Sequence, residues 1–378
     1  MRSSLILALL CSFAPLATAK VWSVDPGGAS DFTTIQPAID AAAEGDIILV
    51  TAGVYLLQTA IITGKSLTMV AAPAGASVSC SGLAVTGLTA QQRVVIRGID
   101  VYDSFPGLDA ATGMQVTNCL GTVWIEDCRI DGRAGHAIFN QTFPGEEALR
   151  VLGSHLVTAV RCDFTGGKGY ESFPFPGPSG DGSVLLSGTA SFWDCTITGG
   201  SGGTGPGDGL RVDAGKLMFS GSHVSGGGAG AIGLDVTAAG ITVETLDSTF
   251  SSTQAPAGTI SSWPAVSRSL ELTSPVIQGT NVDVVMRGLP ADQVFIFWSL
   301  TGSQAQIGGT QGWYILGPPT GPFFLWTITT PNGQQTLSVI APPLVSATLG
   351  GFTFLVQPYH VNTGEIIAGA SSAFVLLK

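Results

Sequence analysis

Asp181 and Asp208 stand 27 residues apart, each inside a Gly-Asp-Gly turn. A chain that brought equivalent turns together would set their carboxylates side by side. Backbones one strand spacing apart lie about 4.8 Å from each other, near the roughly 5 to 5.5 Å between the carboxyl groups of a retaining glycosidase. Such a pair could instead share a Ca²⁺ ion or, once desolvated, push one pKa upward. Asp and Gly are also the residues a tight turn selects, so three readings stand: catalytic pair, cation site and turn. Arg211 follows Asp208 by three residues and His136 follows Arg133 by three. His136 and Arg211 are therefore candidate helpers in acid–base chemistry, although a lone His before a strand also serves structure.

The loop GGKGYESFPFPGPSG (Gly166 to Gly180) makes its period six residues longer than the next. Tyr170, Phe173 and Phe175 lie there among three prolines. Rings held on a stiff, outward segment suit stacking on flat ligands such as sugar rings. Lys168 and Glu171 supply polar partners beside them. The competing reading folds these rings back over a seam of the protein.

Something must bring Asp181 level with Asp208, and the sequence supplies it. SVLLSGTASFWDCTITGG from Ser183 aligns without a gap on LRVDAGKLMFSGSHVSGG from Leu210, matching Leu185 to Val212, Phe192 to Phe219 and Ile197 to Val224. Ile99, Ile130, Phe164, Ile197, Val224 and Phe250 mark periods of 31, 34, 33, 27 and 26 residues. Each period holds short alternating runs of β-branched or aromatic residues closed by Gly, with no sustained helical periodicity. One such unit cannot bury its apolar face; parallel stacking of successive units does so and gives a β-helical solenoid. Cys128, Cys162 and Cys195 each precede an anchor by two residues and form a ladder. Side chains stacked in parallel do not present the near-perpendicular torsion of a disulfide, so buried free thiols are expected.

Of 378 residues, 52 are Gly, 45% are hydrophobic and 11% charged, with a formal net charge of −11. The apolar content excludes a disordered chain, and no basic run exists that could neutralise a line of phosphates, which excludes nucleic acid. Arg2, the apolar run Leu5 to Leu10 and Ala17-Thr18-Ala19 read as a secretory signal over residues 1–19. No later stretch suits a membrane span, so a secreted or cell-surface protein is expected. Five cysteines remain after cleavage, none arranged as a metal knuckle. An odd number leaves at least one unpaired in a monomer.

DFTTIQPAIDAAAEGD (Asp31 to Asp46) carries Ile35 and Ile39 four apart and Gly45 as a stop, which predicts a short helix capping the solenoid. The wider stretch VDPGGASDFTTIQPAIDAAAEGDIILVTAGVY (Val24 to Tyr55) resembles the opening of the pectate-lyase-like superfamily of right-handed parallel β-helix proteins. That superfamily includes pectinesterases and polygalacturonases alongside non-catalytic adhesive proteins. The resemblance implies an extracellular polysaccharide as partner, with carboxylates, basic residues and often Ca²⁺ on one exposed face when the protein is an enzyme. The superfamily's catalytic signatures are missing: paired aspartates with Gln donors are not found, Leu57 stands where an acidic residue is expected, and Gly135-His136-Ala137 is only a fragment of a longer motif. Glu126, Asp127, Arg129, Asp131 and Arg133 supply charge, which strand alternation divides between faces.

After Ser251 to Ser269 the period disappears, and strand signals recur at Val282 to Met286, Val294 to Leu300, Phe323 to Thr330, Thr336 to Ala341, Phe352 to Gln357 and Phe374 to Leu377. They predict an antiparallel β-sandwich. The segment resembles a C-terminal module of secreted planctomycete and myxobacterial proteins. The expected architecture is all-β: signal peptide 1–19, right-handed parallel β-helix 20–260 with its capping helix, linker 261–272, and sandwich 273–378. The expected role is a non-catalytic polysaccharide-binding or adhesive module. A polysaccharide lyase or glycoside hydrolase using Asp181 and Asp208, and a purely structural envelope component, are the alternatives.

Overall fold

The computed structural model describes residues 19–102, 113–138, 141–171, 177–185, 187–254, 258–317, 320–344 and 350–378. Chain repeats become neighbours because each alternating run finds its partner one coil away. Ten parallel strands, from Val21–Val24 to Thr259–Trp263, form a first face. A 14-stranded sheet bends around the other two sides. Its second face carries Ile99–Val101, Arg129–Asp131, Asp163–Thr165, Thr196–Thr198, His223–Ser225 and Thr249–Phe250, and its third face Met114–Thr117, Leu149–Leu152, Ser183–Leu185, Leu210–Val212, Leu234–Val236 and Thr253–Gln254. Val78–Thr86 pairs with the leading strand of each and joins them. The result is a right-handed parallel β-helix.

Like positions stack as the repeat requires. Ile130, Phe164, Ile197, Val224 and Phe250 form one continuous row, and Leu185 lies beside Val212. Phe192 and Phe219 pair in register with rings 5.3 Å apart. One anchor is corrected: Ile130 pairs with Val101, not Ile99. Arg97 pairs with Glu126, so Ile99 takes the slot that Cys128 fills one coil later. The corner before that slot takes a left-handed backbone in six successive coils, at Gly98 (φ 69), Asp127 (φ 54), Arg161 (φ 50), Asp194 (φ 52), Gly221 (φ 60) and Asp247 (φ 48). Gly and Asp tolerate it best, and Arg161 is held there by Glu126 and Asp127.

Ile35–Ala41 is helical and buries Ile35 and Ile39 over the first coil. Between the second and third faces the loops pack so tightly that side chains are excluded. A spiral of hydrogen bonds runs from Glu146 O through Gly167, Gly180, Gly200 and Gly207 to Gly227 N, each link 2.7–2.9 Å. A Cβ on Gly167 would lie 1.8 Å from Arg133 O, and one on Gly227 1.8 Å from Gly200 O. The loops can stack only as glycine.

The C-terminal part places a three-stranded antiparallel sheet (Ser269–Leu272, Asn281–Arg287, Gln334–Ile340) against a seven-stranded one built on Gly351–Asn362. Leu270, Val284 and Met286 meet Val294, Val356 and Phe374 between them. This sandwich lies along the outside of the solenoid's first face, where Trp124, Val160, Trp193 and Met218 pack on Trp313, Ile315, Leu355 and Tyr359. Strands covered on both sides explain why Trp124, Val160, Trp193 and Met218 face outward from the solenoid there. Glu126, fully buried, fixes the docking. It pairs with Arg97 and Arg161 and accepts from Trp124 Nε1, Ser372 Oγ and the Ala373 N–H. Arg97 also donates to Leu272 O at 2.8 Å and Ala373 O at 2.6 Å.

Candidate functional site

With the first face covered, the outer side of the third face and the glycine loops beside it are the solenoid surface on which chemistry-bearing groups gather. The strand register of the third face aligns Gln115, Arg150, Val184, Arg211 and Asp235 in successive coils. Turns at the strand entrances add Glu146, Glu147, Asp181 and Asp208.

Asp181 and Asp208 are brought together. Asp181 Oδ1 accepts the N–H of Asp208 at 2.9 Å, and Oδ2 pairs with Arg211 Nη1 at 2.9 Å. Asp208 Oδ1 accepts the N–H of Ile232 at 2.8 Å. Each carboxylate thus caps the backbone of the following coil, a use that demands a short acceptor on a turn. Burial pushes the Asp181 carboxyl up to about 6, against the pull of the Asp208 N–H and Arg211. Asp235, facing Asp208 and Asp213, is raised in the same way.

Arg150 donates to Glu147 and lies 3.7 Å from Glu146. Burial, reinforced by the charge of Glu147, raises Glu146 to about 7. Both third-face arginines are therefore engaged by carboxylates, leaving a patterned, net acidic strip.

His136 lies elsewhere on this surface. It opens a hairpin, His136–Ile138 with Gln141–Phe143, and its ring stacks on Phe143 at 4.8 Å and 11°. Arg133 Nη2 is 3.1 Å from Nε2; a guanidinium can only donate, so Nε2 accepts. The polar contact of His136 is Arg133, whereas those of Asp181 are Asp208 and Arg211. Tyr170 approaches the hairpin by its backbone, since a Cβ on Gly135 would meet both Tyr170 N at 2.8 Å and Phe143 O at 2.9 Å. Lys168 and Glu171 are exposed and Tyr170 half-buried. Phe173 and Phe175 lie outside the described residues.

Among the described residues no group of three or more His, Cys, Asp or Glu side chains is placed to hold a metal ion. Cys80, Cys119, Cys128, Cys162 and Cys195 are all buried free thiols. No described helix is long and apolar enough to cross a membrane.

Sequence reasoning overlooked Phe143, 39% exposed, and the Glu146, Glu147 and Arg150 cluster. The three-residue spacing of Glu147 and Arg150 was a legible signal. Phe143 had none, because its platform exists only once the hairpin closes.

No protein-family model and no curated protein matches the sequence. Among solved structures, the chain is similar to a pectin methylesterase from Aspergillus niger (13% identity, 64% of this chain and 87% of that one, TM-score 0.31). It is also similar to the pectate lyase Pel9A (16%, 67% and 78%, TM-score 0.30) and to the enzymatically active domain of tailspike protein 2 from bacteriophage CBA120 (9%, 97% and 77%, TM-score 0.30). The strand register, not these likenesses, carries the fold assignment.

Proposed function

We propose that the protein is an exported, non-catalytic binding module that holds an extracellular polysaccharide against the third face and its glycine loops. One observation carries the reading: both oxygens of Asp181 are already spent, on the Asp208 N–H and on Arg211. The pair expected to cleave is engaged in holding coils together. At the hairpin, Phe143 on its His136 support offers an exposed aromatic face, and Arg133, Lys168, Tyr170 and Glu171 offer polar groups, a combination suited to sugar rings and hydroxyls.

Cleavage remains the second reading because of Glu146 at about 7 and Asp181 at about 6, the range of a general acid at neutral pH. Retention on immobilised neutral and uronate-containing glycans tests the first. A retained glycan whose affinity drops roughly tenfold in Phe143→Ala, with an unchanged melting profile, supports the platform. Equal retention by the variant removes it. EDTA-sensitive retention would restore the Ca²⁺ reading of Asp181 and Asp208.

A further inference from the structure

The three-stranded sheet of the sandwich has an open edge among the described residues. Gln334–Ile340 ends the three-stranded sheet, and among the described residues no strand pairs with its outer side. Gly333 O accepts from Gly288 N and Ala341 N donates to Thr280 O. The two-residue alternation of an antiparallel ladder then directs Gln335, Leu337 and Val339 inward and aims the N–H and C=O of Thr336, Ser338 and Ile340 at the open edge.

Edges of this kind are normally blunted by Lys, Pro or a bulge. QQTLSVI has neither a charge nor a proline, and its register with Asn281–Arg287 runs unbroken through seven pairs. The opposite edge of the same sheet is guarded: Glu271 pairs with Arg287 and Ser269 bridges to Ala370. Ile340 is 68% exposed, the most exposed large hydrophobic side chain among the described residues. Leu337 and Val339 pack on the sandwich core yet stay partly uncovered.

We infer that this strand pairs antiparallel with its counterpart in a second copy of the chain, about a two-fold axis at Leu337. Only that centre overlaps the whole strand. It sets Leu337 against Leu337 and Thr336 against Ser338, so the outward-aimed backbone groups of Thr336 and Ser338 complete the ladder on both sides of the axis, while Gln334 keeps its bonds to Asn332 Oδ1 and Thr330 Oγ1. Two chains of net charge −11 repel, and a neutral strip is where they can meet without setting charge against like charge.

Sedimentation equilibrium of the full chain tests this. The wild type should form a concentration-dependent dimer. Thr336→Lys with Ser338→Lys places ammonium groups opposite each other across the axis and should weaken it at least about tenfold, whereas Thr336→Glu with Ser338→Lys places opposite charges there and should restore it. Both pairs change exposed side chains only, and matching thermal melts verify the fold. A wild type that is monomeric at every concentration, or a double-Lys variant that dimerises as tightly, overturns the inference.

Discussion

The Asp181 carboxylate accepts the N–H of Asp208, its equivalent one coil further on, at 2.9 Å. Two residues that resemble a catalytic pair in the sequence are successive rungs of one capping ladder, which Asp208 continues to Ile232. Below pH 5, where the carboxyl is uncharged in the folded chain, Asp181→Ala removes the acceptor from a partly buried N–H and should lower unfolding stability by about 1 to 2 kcal/mol. Denaturant midpoints at constant slope measure it. A variant as stable as the wild type would show the ladder to be incidental.

Proton linkage gives two opposite slopes. Asp181 has its folded value raised by burial to about 6 from 3.8. Its charge opposes folding at neutral pH, and that cost disappears as pH falls through 6 toward 3.8. His360 is shifted the other way: burial lowers it below 6.5, opposed by its hydrogen bond to Asp292, with the Arg268 charge adding to the lowering. Stability held by neutral His360 is complete above 6.5 and is lost as pH falls, because the unfolded chain takes the proton first. Between pH 7 and 5 the melting temperature of the wild type should therefore gain on that of Asp181→Asn and lose on that of His360→Gln. A flat difference in either series contradicts the corresponding assignment.

Glu126 joins the two halves. Replacing it by Ala leaves Arg97 and Arg161 with Asp127 alone and strands the buried donors of Ser372 and Ala373, a loss of about 1 to 3 kcal/mol for each unsatisfied group. The sandwich should then undock before the solenoid melts. Calorimetry should show a single transition splitting in two, with proteolysis appearing between Trp263 and Ser269. A single transition merely shifted downward would mean the halves unfold together whatever Glu126 does.

The thiol ladder should be chemically silent. Burial pushes Cys80 up to about 12 and raises Cys128 and Cys162 far above their usual range. Alkylation read by mass should therefore leave these three unmodified in the native protein and label them after denaturation. The slot tolerates a hydroxyl in a later coil, where Ser222 donates to Phe192 O and Ser220 O. Cys195→Ser should consequently cost about 1 kcal/mol or less. Rapid native labelling of Cys162 would mean the corner opens far more readily than its packing implies.

The solenoid was legible because its repeat is a contact map: Phe164, Ile197 and Val224 align in the chain and stack in space. Ile99 misled because the neighbouring slot is also apolar, and alternation cannot separate two inward positions on either side of a corner. At the site, the adjacency of Asp181 and Asp208 could be read. The identity of the donor that Asp208 caps could not, since it depends on the path of the loop leading to Ile232. In the sequence Glu126 is one of several charges that strand alternation divides between faces. Its burial is decided by Ser372, 246 residues away, and no local pattern records a partner that distant.

Incubating the protein with neutral and uronate-containing polysaccharides, while following new reducing ends and unsaturated products together with the fraction of protein retained, separates binding from cleavage. A binding module should show retention without products for at least one glycan, and retention that falls in Phe143→Ala. Products that accumulate with time and vanish in Asp181→Asn would contradict it and make the capping ladder an active site.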